Sequence, residues 1–120
     1  MRILLVDDEK GFLNILGDVL RDHGYDVVQA EDGGVARAII DTQEFDLVIS
    51  DVFMPTLNGS QFHHYVRSRA HAPEIPFIFL SGYDHDRARE LVQNPRLDFF
   101  LSKTAPVEEI VACIQQSQTA

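Results

Sequence analysis

The chain has 120 residues, 45% hydrophobic and 24% charged, the proportions of one ordinary globular domain with a core of its own. Its net charge of −9 repels phosphate backbones, so direct nucleic-acid binding by this domain is not expected. No apolar run approaches the roughly 20 residues that span a bilayer; no signal peptide is expected from the short apolar run behind Met1-Arg2, and the lone Cys113 excludes an internal disulfide and suits a reducing, cytoplasmic setting.

Apolar runs and helical patterns then alternate five times. Residues 3–6 form the first run, followed by a helical face of Phe12, Leu13, Leu16, Val19 and Leu20 that stops at Gly24, a natural C′ residue. Residues 26–30 are a mixed run centred on Val27 and Val28. The helix after it carries Val35, Ala36, Ile39 and Ile40 behind Asp32, a plausible N-cap. Residues 47–49 precede a third helix marked by Phe62, Tyr65 and Val66, which must end before Pro73 and Pro76. Residues 77–80 lead to a thinly apolar fourth helix with Ala88, Leu91 and Val92, closed by Asn94-Pro95. Residues 97–101 and a fifth helix bearing Val107, Ile110, Val111 and Ile114 behind Pro106 complete the pattern.

Runs that are continuously apolar, not alternating, belong to strands covered on both faces. Five βα units with short connections therefore predict an α/β fold, (βα)5 and flavodoxin-like: a doubly wound five-stranded parallel sheet in the order 2-1-3-4-5. That order places a crevice at the carboxyl ends of strands 1 and 3. The closing "QQSQTA", about residues 115–120, is expected to be a polar tail or the start of a linker.

Acids stand at that crevice. Asp7 and Asp8 follow the first run in "ILLVDDEK", and Asp51 follows the third in "DLVISDVFMP". Three converging carboxylates cannot all stay ionised without a cation, and an open all-oxygen site favours Mg²⁺, with Mn²⁺ possible. Asp8 is expected to bind the metal directly and Asp7 through water, with Glu9 an ordinary acid opening the first helix. Strand 4 ends in "FIFLSGY" and brings Ser81 to the same edge; strand 5 ends in "LDFFLSK" and brings Lys103. A hydroxyl, an ammonium and a metal around one carboxylate suit a tetrahedral dianion.

With Asn58-Gly59 added, these elements in this order closely resemble a CheY-like response-regulator receiver domain, the phospho-accepting module of two-component signalling, over essentially all 120 residues. The resemblance implies that Asp51 is the phosphoacceptor, that Asp7 and Asp8 bind metal, and that Lys103 and Ser81 bind the phosphoryl group. Phe53 would add a backbone carbonyl to the metal and, with Tyr83, shield the acyl phosphate from water. Ser81 and Phe100 would form a switch that remodels the face made by the fourth helix, the fifth strand and the fifth helix. The implied partners are a sensor histidine kinase or histidine phosphotransfer protein as donor, and an effector domain or a second copy on the switching face; no membrane is involved. Two departures stand out. Thr104 follows Lys103 where the family usually has proline after a cis peptide, and a cis bond before threonine would cost about 2.5–4 kcal/mol, so that loop is expected to differ or be more mobile. Asn58 replaces a more common aspartate in what reads as a turn.

Other residues carry ordinary readings. His63-His64 are expected at the surface, and His23, His71 and His85 are isolated. Cys113 reads as a small hydrophobe on the last helix. Asp86, Arg87, Arg89, Glu90, Asp98 and Glu109 could pair between copies, but a solvated face is the simpler expectation. The chain is read as a regulatory domain, not an enzyme. A Mg²⁺-dependent phosphatase would want a second acid where Phe53 stands, and no P-loop occurs. A degenerate receiver that only binds proteins is the alternative.

Overall fold

The computed structural model describes residues 1–52, 54, 57–69, 74–82 and 89–118. Five parallel strands, β1 (Arg2–Val6), β2 (Asp26–Ala30), β3 (Leu47–Asp51), β4 (Phe77–Ser81) and β5 (Asp98–Ser102), form one sheet in the order β2-β1-β3-β4-β5. This is the expected flavodoxin-like arrangement. The chain turns from one side of β1 to the other between β2 and β3, which opens the crevice where β1 and β3 end. Val6 pairs with Ala30 on one side and Ser50 on the other, so Asp7 and Asp51 leave the sheet at nearly the same level.

The apolar runs are continuous because each face of the sheet has its own core. Leu4, Val6, Val48, Phe77 and Phe79 point to the side covered by α2 (Gly33–Thr42) and α3 (Gly59–Ser68). Ile3, Leu5, Leu47, Ile49 and Ile78 point to the side covered by α1 (Lys10–Asp22) and the C-terminal helix (Val107–Ser117). Successive residues of one strand thus feed opposite cores, each buried side chain worth about 1.5–3 kcal/mol. Phe99 and Phe100 divide the same way, Phe99 toward the α1 side and Phe100 toward the α3 side.

Local sequence sets the helix ends. Asp32 accepts the Val35 N–H at 2.8 Å as the N-cap of α2. Asn58 and Gln61 close a reciprocal capping box at 2.9 Å on α3, so Asn58, expected in a turn, works as the cap of a helix. Gly24 ends α1 with φ +89°, a conformation that side chains disfavour.

Some elements differ from their expected form. Val35 points outward at 44% exposure, so α2 buries Ala36 and Ile40 without it. The C-terminal helix runs through Ser117, which is buried, and Gln118 donates to the Asp46 carbonyl at 3.2 Å; the expected polar tail is docked up to residue 118. Ala88, Asp86 and Arg87 of the fourth expected helix lie outside the described residues, as do His71, His85 and Pro73. Its Leu91 and Val92 pack partly buried against the α3-side core. Among the described residues, no helix is long and apolar enough to cross a membrane.

Candidate functional site at the carboxyl edge of the sheet

Asp7 leaves β1 with its N–H still donating to the Ala30 carbonyl at 3.1 Å, which holds it fully buried at the crevice floor. Its Oδ1 accepts the Glu9 N–H at 2.9 Å. Asp8 is exposed beside it, and Asp51, the last residue of β3, is buried. One oxygen from each of Asp7, Asp8 and Asp51 lies within 4.8 Å of the others, as the sequence pattern led us to expect.

Lys103, the residue after β5, reaches across the crevice with only 9% of its side chain exposed. Its Nζ lies 2.8 Å from Asp7 Oδ2, 2.9 Å from Glu9 Oε1 and 3.6 Å from Asp51 Oδ2. The Phe12 ring centroid is 4.5 Å away, so an aromatic face covers the ammonium from α1. Burial disfavours the Lys103 charge, but the contacts to Asp7 and Glu9 and the charge of Asp51 outweigh it, so the ammonium is held well above its ordinary range. The Asp7 carboxyl is raised, chiefly by burial, with the Lys103 contact and the Glu9 N–H opposing and the Asp8 charge adding to the rise.

These residues fit a hard divalent cation. The donors are carboxylate oxygens on an open edge, and Asp7 Oδ2 is buried without an aligned hydrogen-bond donor. The Lys103 contact to that oxygen is short, but its angles are those of an ion pair and not of a hydrogen bond. Phe53, expected to add a carbonyl, and Tyr83, expected to shield the site, lie outside the described residues.

Ser81 is fully buried at the end of β4, and its carbonyl accepts the Lys103 N–H at 3.0 Å. Phe100 is half-buried against the α3-side core, with the Arg89 guanidinium 5.5 Å from its ring centroid. Asn58-Gly59 acts on the site through packing. The Gly59 N–H donates to the Val52 carbonyl at 2.9 Å, and a Cβ there would sit 2.2 Å from the Asp51 carbonyl oxygen. The Lys103–Thr104 peptide is trans. Its loop is tied by hydrogen bonds, with the Ala105 N–H on the Ser102 carbonyl at 3.0 Å and the Thr104 N–H on Ser102 Oγ at 3.2 Å.

Three sequence expectations need correction. Glu9 stands at the N-cap of α1 but makes no capping bond; its carboxylate holds Lys103. His63 is buried, not at the surface, and Asp98 is buried with it, not on a solvated face. They meet 2.9 Å apart, with the His63 and Phe77 rings in edge contact at a centroid distance of 4.9 Å. An aspartate inside the apolar run "LDFFL" was the available signal, since a charge there needs an internal partner.

Residues 3–115 match the family model of the response regulator receiver domain. The chain is 33% identical over 87% of its length to the CAI-1 autoinducer sensor kinase/phosphatase CqsS of Vibrio cholerae. It is 34% identical over 89% of its length to the transcriptional regulatory protein GlrR of Escherichia coli. The aligned parts span only 15% and 23% of those two proteins. Among solved structures, chemotaxis protein CheY4 of Vibrio cholerae superposes with a TM-score of 0.88 at 28% identity, covering 97% of both chains. TrrA of Thermotoga maritima, solved in complex with Mg²⁺-BeF, gives 0.85 at 28% identity and 97% of both chains. With the acidic crevice at its sheet edge, this chain belongs to the response regulator receiver domain family, phospho-accepting regulatory modules of two-component signalling.

Proposed function

We propose that Asp51 accepts a phosphoryl group from a phosphohistidine, carried by a sensor histidine kinase or a histidine phosphotransfer protein. The observation that carries this reading is the position of Asp51: buried, within the Asp7–Asp8 cluster, and 3.6 Å from the Lys103 ammonium. An ionised carboxylate is already a nucleophile and needs no general base. One Asp51 oxygen bonds to phosphorus as the phosphorus–nitrogen bond breaks, and the departing imidazole nitrogen takes a proton from solvent. Asp7, Asp8 and Asp51, with the Phe53 carbonyl, would hold Mg²⁺, which supplies positive charge to the phosphoryl oxygens. Lys103 neutralises charge from the opposite side, and the Ser81 hydroxyl donates a hydrogen bond to a phosphoryl oxygen.

The output follows from the same edge. Drawing Ser81 and the loop after β4 toward a phosphoryl group gives Phe100 room to bury further, away from the Arg89 guanidinium. The size of that shift is bounded by the contacts made to the phosphate. The face around Phe100 and the C-terminal helix would then meet an effector domain or a second copy of the chain.

The test is to incubate the domain with Mg²⁺ and a small acyl or amido phosphate, or with beryllofluoride, beside Asp51→Asn. A stoichiometric adduct that is absent from the variant is expected. Multiple turnover would favour a phosphatase, and no adduct with any reagent would leave a phosphorylation-independent interaction module.

A further inference from the structure

We propose that Ser102 and Thr104 form a hydroxyl clasp that positions Lys103, doing by hydrogen bonding what a proline after the lysine would do by ring constraint. Lys103 is fixed on its N-terminal side by the sheet, because its N–H donates to the Ser81 carbonyl at 3.0 Å. Beyond Lys103 the sheet ends. What restrains the chain there is a closed set of bonds back to one residue, Ser102. The Thr104 N–H donates to Ser102 Oγ at 3.2 Å, and the Thr104 and Ser102 hydroxyls lie 2.8 Å apart. The Ala105 N–H donates to the Ser102 carbonyl at 3.0 Å. Lys103 is thus the apex of a loop whose two ends are joined through the Ser102 side chain and carbonyl.

The residue types matter. Proline at 104 has neither the N–H nor the hydroxyl, so it could make neither bond to Ser102 Oγ. Ser102 Oγ has one hydrogen and two lone pairs, enough to receive the Thr104 N–H and to share a hydrogen with Thr104 Oγ1. Thr104 is exposed and Ser102 half-buried, so water competes for both bonds and the clasp can open. An open clasp would leave the Lys103 backbone anchored only through its N–H on the Ser81 carbonyl, with the ammonium drawn to Asp7 and Glu9 more closely than to the Asp51 oxygen it must serve.

This inference rests on the reading that Lys103 faces a phosphoryl group on Asp51. Its test uses Ser102→Ala, Thr104→Val and the conservative Thr104→Ser. Two titrations, of Mg²⁺ alone and of beryllofluoride at saturating Mg²⁺, are combined with the rate of trypsin cleavage at the Lys103–Thr104 bond. Ser102→Ala and Thr104→Val are expected to weaken beryllofluoride binding about three- to tenfold, the worth of one hydrogen bond. Both should leave Mg²⁺ affinity unchanged and speed cleavage after Lys103, while Thr104→Ser behaves as wild type. Unchanged beryllofluoride binding and cleavage in both variants would overturn the clasp. A parallel loss of Mg²⁺ affinity would also overturn it, since that marks general damage to the edge. If the wild-type chain binds no beryllofluoride, the phosphoacceptor reading fails, and the cleavage rates alone decide the clasp.

Discussion

His63 Nε2 donates to Asp98 Oδ1 at 2.9 Å, joining α3 to the first residue of β5 across 35 positions of sequence. Asp98 is saturated: Arg67 Nη2 donates to the same oxygen at 2.6 Å, and the Gln93 and Asn94 N–H groups donate to Oδ2 at 3.1 and 3.0 Å. Arg67 also binds the Ile75 carbonyl at 2.6 Å, so one buried carboxylate ties α3, the approach to β4 and the loop before β5. Burial alone would raise the Asp98 carboxyl; the bonds from His63, Asn94 and Arg67 outweigh it and hold the group far below the usual carboxylate range.

Removing this anchor leaves His63 and Arg67 facing a void. Asp98→Ala should cost about 3–5 kcal/mol of stability, and Asp98→Asn less because it keeps an acceptor. The pH dependence has a definite sign. A depressed folded pKa gives stability that is complete above the unfolded value of about 4 and is lost as pH falls toward the folded value. The stability difference between wild type and Asp98→Asn, from urea unfolding, should therefore narrow between pH 7 and pH 3. A gap that widens at pH 3 would contradict the assignment.

Cys113 is buried in the α1-side core, and burial, with the Glu109 charge adding, pushes its thiol up to about 11. Since the thiolate is the reactive form, a thiol reagent at pH 8 should modify the folded domain far more slowly than the domain in urea. Comparable rates in both would mean that the C-terminal helix does not stay docked.

The parts of the site readable from sequence are those placed by the sheet. Once the runs ending at Val6, Ile49 and Leu80 are parallel strands, Asp7, Asp51 and Ser81 must meet at one edge, and strand order supplies the neighbours. Side-chain contacts across the fold obey no such period. Glu9 and Lys103 are separated by 94 positions, and nothing in "DDEK" distinguishes a lysine-binding acid from an N-cap. His63 could be read as buried only by knowing that Asp98 lies under α3. Thr104 was visible as a departure, but its bonds to Ser102 depend on a loop conformation that no propensity encodes.

Glu9 holds Lys103 on the α1 side, nearer to itself and Asp7 than to Asp51. Because the Glu9 carboxylate is largely exposed, the pair is worth no more than about 1 kcal/mol after screening. Glu9→Gln should release the ammonium toward Asp51 and tighten beryllofluoride binding by up to about fivefold. The gain should fade as salt rises, because exposed charges are screened. Weaker binding in Glu9→Gln would instead identify Glu9 as a support that Lys103 needs.

Gly59 and Gly11 both lie in helices and make a matched pair. In helix interiors alanine is favoured over glycine by about 0.5–1 kcal/mol, an upper bound for these two first-turn positions. At Gly11, in α1, a Cβ would meet nothing within 4 Å, so Gly11→Ala should raise stability by up to that amount. At Gly59 the Cβ would lie 2.2 Å from the Asp51 carbonyl oxygen and 2.9 Å from Val52 Cα, both backbone atoms that cannot swing aside. Gly59→Ala must therefore push α3 off the end of β3, costing about 1–3 kcal/mol despite the better helix propensity. The same displacement shifts Asp51 against Asp7 and Asp8, so Mg²⁺ affinity should fall in Gly59→Ala and hold in Gly11→Ala. Urea unfolding and Mg²⁺ titration of the two variants check both halves; Gly59→Ala with unimpaired metal binding would show that Asp51 is held by its own strand and not by the packing of α3.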